Sequence, residues 1–77
     1  MFIITAKTTK QEQLYIAVVN QQPIWTSNVE MIKIFGSTEI AAMYLNAILS
    51  MKDEFENYTL ADSNTIKISE LHFRELY

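Results

Sequence analysis

Titratable side chains gather in two places along the 77-residue chain: Asp53, Glu54 and Glu56, with Asp62 nearby, and His72 between Glu70 and Arg74. Neighbouring carboxylates raise one another's pKa, and such a pair can divide the work of acid and base. That chemistry needs a pocket and a reacting partner, and the flanking sequence offers no nucleophile, so the acidic run reads as a solvated loop. His72 shares a strand face with Glu70 and Arg74, the spacing of a base with an orienting partner. No serine stands in a nucleophile turn, Ser69 is too near in sequence, and there is no cysteine, so His72 reads as a surface or strand-edge residue. One glycine cannot build a phosphate-cradling loop, and a single histidine without cysteines cannot form an ordinary metal site. No cofactor and no enzymatic activity are therefore expected.

Aromatic and apolar side chains carry the stronger signal. Trp25, the only tryptophan, follows Pro23 on what reads as a short outer strand, and its indole is expected to reach solvent as an interface anchor. Tyr15 is expected on the second face of its strand, available to a partner. Plotted at ~100° per residue, the helix proposed below has a narrow polar side of Glu39, Asn46, Ser50 and Asp53. Its apolar arc, which includes Ile40, Ala47 and Met51, spans ~200°, about twice what packing on one sheet requires. Loops and chain ends could cover the surplus, or it could be a partner surface. The candidate partner-binding residues are Tyr15, Trp25, Ile40, Met43, Ala47 and Met51.

Composition limits the remaining classes. Apolar residues make up 49% and charged residues 19%, which favours a single packed domain over residues 1–77. A domain this small has a frugal core, and without cysteines or a metal site the aid left open to it is a second subunit, a homodimer. Net charge is −3. Residues 1–40 carry three lysines and three glutamates, so the acidic excess lies wholly in residues 41–77. Six scattered basic residues give no positive stripe, so direct nucleic-acid binding is not expected. No secretory leader and no membrane-length apolar run are evident, and a cytoplasmic protein is expected.

These residues need a scaffold. "FIITA" (2–6) and "QLYIAVVN" (13–20) read as strands joined by a polar hairpin loop, the second apolar on both faces and so central. "NQQP" turns the chain, and "IWT" returns beside the second strand, its proline confining it to an edge or strand start. "SNVE" has the spacing of a capping box headed by Ser27, for a single turn that points Val29 and Ile32 inward. The main helix is expected from about Thr38 to Lys52 or Glu54, capped by Ser37 or Gly36, with Phe35 stapled to Ile40 and Ala41, Tyr44, Leu45, Ile48, Met51 and Phe55 recurring on one side. "TIKISELHF" (65–73) reads as a last strand whose phase slips between Ile68 and Leu71, through a bulge at Ser69–Glu70 or a terminal helical turn. The sum is an α+β fold: a small antiparallel sheet in β-β-β-α-β order with one amphipathic helix packed on one face.

The run "YIAVVNQQPIWTSNVEMIKIFGSTEIAAMYL" followed by "IKISELHF" resembles many short proteins encoded by phages and prophages, although Ile32 and Lys33 stand where that pattern has a small residue. The resemblance implies a non-enzymatic module that binds a host protein in the host cytoplasm as a regulator or inhibitor. The alternative is an acidic nucleic-acid mimic, with Asp53, Glu54, Glu56 and Asp62 imitating phosphates to block a DNA-binding protein.

Overall fold

The computed structural model describes residues 1–51 and 55–71. The β-branched start of the chain forms β1 (Phe2–Lys7), which pairs antiparallel with β2 (Gln13–Val19) through a short loop. Thr8 organises that loop: its hydroxyl accepts from the Lys10 and Glu12 N–H groups, and Gln11 closes the turn in the left-handed region, at φ 68°. β2 then reverses into β3 (Gln22–Thr26) over the two residues Asn20 and Gln21, both with positive φ. That is the turn whose twist matches a hairpin.

The turn sets the register. Val19 faces Gln22, Val18 faces Pro23 and Ile16 faces Trp25. Hydrogen-bonded and non-hydrogen-bonded pairs alternate from the closing pair, so Pro23 and Trp25 turn their backbone groups away from β2. Pro23 has no N–H to leave unpaired there. β3 is accordingly an edge strand and β2 is central, in the order β3-β2-β1-β4, with β4 at Lys67–Glu70.

β1 and β2 pair only through Thr5–Lys7 and Gln13–Tyr15. Beyond these, residues 32–35 bridge both strands: the Lys33 N–H donates to the Ile16 carbonyl at 2.9 Å, and Phe2 and Phe35 exchange two bonds of 2.9 and 2.8 Å. This pinned segment delivers the chain into α1 (Thr38–Ser50). Ser37 is the cap, its Oγ accepting from the Ile40 N–H at 3.2 Å. The helix lays Ala41 and Ile48, with Tyr44 and Leu45 beside them, on a core containing Ile4, Ala6, Leu14, Ile16 and Trp25. The α+β architecture, with one helix between β3 and β4 in sequence, follows the alternation of the strands and the spacing of the helix.

Local expectations differ at five points. α1 ends at Ser50 with Met51 as its C-cap, short of Lys52, so Phe55 stands beyond the helix rather than on its face. The turn at Val29–Met31 is capped by Asn28, whose side chain accepts from the Glu30 N–H, rather than by Ser27, and Val29 is exposed. Asn28 caps because a 3-10 turn needs an acceptor only two residues back. Phe35 is buried against Tyr44, ring centroids 5.3 Å apart, while Ile40 faces outward. Thr65 belongs to a 3-10 turn (Ser63–Thr65), where its hydroxyl bonds the Lys7 backbone, so β4 begins only at Lys67. No bulge interrupts β4: Phe2 to Thr5 face Glu70 to Lys67 in unbroken register, and the Leu71 N–H donates to the Met1 carbonyl. The phase slip arises because both sheet faces bury residues. Ile68 packs on the helix side, and Leu71 is buried on the face that holds Ile3 and Thr5. Lys52, Asp53, Glu54, His72, Phe73 and Arg74 lie outside the described residues.

Candidate functional site

The surplus apolar flank of α1 stays open among the described residues. Met43 is 72% exposed and Ile40 55%, and Ala47 and Met51 are also exposed. Positions 40, 43, 47 and 51 fall within an arc of about 80° at helical spacing, so they form one stripe along the cylinder. It lies beside the face that packs on the sheet and opposite no other described element. At its N-terminal end the stripe runs into a shallow apolar groove of about 510 Å³ lined by Lys33, Ile34, Phe35, Gly36, Ile40, Met43 and Tyr44. The bonds from Lys33 to Ile16 and between Phe35 and Phe2 fix the groove's floor to the sheet. Ile34, 46% exposed, extends the patch beyond the helix and was missed in the sequence. Its signal was the odd number of apolar residues in "IKIF", too many for one buried side.

Burial raises the Tyr44 phenol above its ordinary ionisation range. Among the described residues the surface is otherwise uncharged apart from Lys33 at one end and Glu39 on the solvent side of the first turn. No polar group of the described residues converges on it, which suits an apolar partner.

Trp25 is not part of this surface. It is 2% exposed, in the core, with Phe55 stacked at 5.5 Å and Tyr58 edge-on to Phe55. The reason is register: Ile16 is a core position and Trp25 stands directly opposite it. Asn57 then closes the open edge of β3, accepting from the Trp25 N–H and donating to the Trp25 carbonyl, each at 2.9 Å. One side-chain amide thus replaces a missing neighbouring strand. The indole Nε1–H is buried with no acceptor among the described residues, a cost of roughly 1–3 kcal/mol. Tyr15 is half-buried on the opposite face of the sheet from α1, lining a small groove with Ile3, Thr5 and Leu71. The structure therefore keeps Ile40, Met43, Ala47 and Met51 together and separates Trp25 and Tyr15 from them.

Of the acidic candidates, Glu56 is exposed, and Asp62 is half-buried and already engaged. Its carboxylate accepts from the Asn64 N–H at 3.1 Å, and its own N–H donates to the Lys7 carbonyl. The other two, Asp53 and Glu54, lie outside the described residues. A second cleft, of about 630 Å³, is walled mainly by hydroxyl and amide side chains, among them Thr8, Gln13, Thr26, Ser27 and Thr59, with Lys10 and Glu12 at exposed positions. No cluster of metal-ligating side chains occurs among the described residues, and no described helix is long and apolar enough to cross a membrane.

No protein-family model matches the chain, and no curated protein or solved structure matches it.

Proposed function

We propose that the protein is a non-enzymatic interaction module that docks on another protein through the apolar flank of α1. The reading rests on one observation: the most exposed large apolar side chains of the described residues, Met43 and Ile40, lie on one helical stripe continuous with the Ile34–Gly36 groove. Contiguous exposed apolar surface of this kind marks binding sites rather than ordinary protein surface. The groove is held by backbone bonds to two strands, so little ordering is lost when a partner arrives. The resemblance to short phage-encoded proteins supports a regulator or inhibitor acting on a host protein in the cytoplasm. Self-association through the same flank fits the frugal core of a 77-residue chain.

The test compares capture of proteins from the native cell extract by the wild type and by Met43→Glu, with circular dichroism showing that both are folded. A protein retained by the wild type and lost at least tenfold with Met43→Glu supports docking on this flank. Equal capture by both, together with a wild type that stays monomeric, overturns it.

A further inference from the structure

We infer that the occupant of the α1 flank is a second copy of this chain, packed with its helix antiparallel. The inference rests on the docking reading above and adds the partner and the geometry. The stripe is self-complementary in shape. Met43 is the most exposed large apolar residue and Ala47, one turn on, is the smallest on the stripe. Two-fold symmetry requires that if residue i meets residue j, then j meets i. An antiparallel pair centred between these positions places each Met43 over the partner's Ala47.

The same register carries each Met51 to the partner's Ile40 and into the neighbouring groove. Ile40 and Met51 stand about 16 Å apart along the helix, so both ends of the stripe are covered. Gly36 leaves room for the incoming side chain, since nothing lies within 4 Å of where a Cβ would stand.

Charge selects the antiparallel arrangement. Lys33 lies at the N-terminal end of the stripe, where the helix dipole is positive, and no described carboxylate bonds it. The last turn of α1 carries no basic residue to offset the negative end of the dipole, although the Met51 N–H already bonds the Ile48 carbonyl there. Antiparallel packing brings each Lys33 toward the partner's negative helix end, whereas parallel packing would set the two lysines side by side. Glu39, the acidic residue beside the stripe, then lies at opposite ends in the two copies, and Asn46 and Ser50 flank the seam without charge.

The area limits the affinity. From the exposures of Ile34, Ile40, Met43 and Met51, complete burial of the stripe removes at most on the order of 1,000 Å² over two copies, below the roughly 1,200–2,000 Å² of stable specific interfaces. That size places the association among weak dimers, formed at micromolar or higher concentration.

Sedimentation equilibrium with cysteine trapping tests the arrangement. The chain has no cysteine, so Met43→Cys and Ala47→Cys each introduce a single thiol. Oxidising the two variants mixed together should give a 43–47 cross-linked dimer at least tenfold more readily than either alone. Wild type should sediment as a dimer at high concentration, and both Met43→Glu and Gly36→Phe, folded by circular dichroism, as monomers. A wild type that stays monomeric to about millimolar concentration overturns the second copy as partner. So does a dimer that Met43→Glu leaves intact, and cross-linking of each variant with itself rather than in the mixture refutes antiparallel packing. If wild type is monomeric yet Met43→Glu still loses a captured protein, the docking surface stands and only its occupant is wrong.

Discussion

Replacing Asn57 with alanine removes the group that, among the described residues, closes the outer edge of β3 at Trp25. The Asn57 amide makes two 2.9 Å bonds to the backbone of Trp25, thirty-two residues away, and is half-buried as it does so. Each such bond contributes about 1 kcal/mol net, so the pair is worth about 2 kcal/mol. A domain of this size has a total stability of roughly 4–12 kcal/mol, which makes the loss easy to see. With a urea slope of about 1 kcal/mol per molar, the lower end for small proteins, the unfolding midpoint should fall by about 2 M. The thermal midpoint should fall by roughly 10 °C. Trp25 is the only tryptophan and lies at the affected strand, so its fluorescence reports the transition directly. Asn57→Asp provides a control: it keeps an acceptor for the Trp25 N–H but sets a carboxylate oxygen against the Trp25 carbonyl, and at neutral pH should lose at least as much. A midpoint for Asn57→Ala within about 0.3 M of wild type would refute the idea that the clamp holds the edge.

Three further outcomes follow from the same bonds and angles. Gln21→Gly should stabilise by about 0.5–1 kcal/mol in thermal unfolding, because Gln21 sits at φ 66° in a two-residue turn that favours glycine at its second position; a lower midpoint would count against that turn. Ser37→Ala should cost about 1 kcal/mol by urea titration, since Ser37 supplies the cap of α1, and an unchanged midpoint would show another group capping the helix. Burial holds the folded-state pKa of Tyr44 above its unfolded value, so its contribution to stability is fully present below about pH 10 and is lost as pH rises through the folded value. Tyrosinate absorbance should show a late-ionising group that Tyr44→Phe removes, and the variant should lose stability less steeply in alkali.

Where local chemistry decides structure, the sequence was readable. Ser37 before a run of helix formers marks the start of α1, Pro23 marks an edge strand, and the two apolar faces of Leu14–Val19 mark a central one. The α1 flank was readable for the same reason: an apolar arc wider than one sheet can cover is a property of the helix alone. Trp25 was misplaced because its environment is set from a distance, by Phe55 and Asn57. The register signal was nevertheless present, since counting back from a two-residue turn at Asn20–Gln21 sets Trp25 opposite the core position Ile16. Asn57 itself gave no warning, because "NYT" shows an amide without showing what it will bond. Nothing local in "IKIF" announces the role of segment 32–35. That it bridges two strands depends on how far β1 and β2 pair, which no local pattern states.

Oxidation of the methionines by dilute peroxide, followed by mass spectrometry across protein concentration, tests the α1 docking surface most directly. Met43 is 72% exposed against 47% for Met1 and 42% for Met31, so the free chain should oxidise first at Met43. As the protein associates, Met43 and Met51 should become protected at least severalfold while Met1 and Met31 keep their rates. If Met43 stays the fastest site at every concentration, and also in the presence of any captured protein, the flank of α1 is not a docking surface.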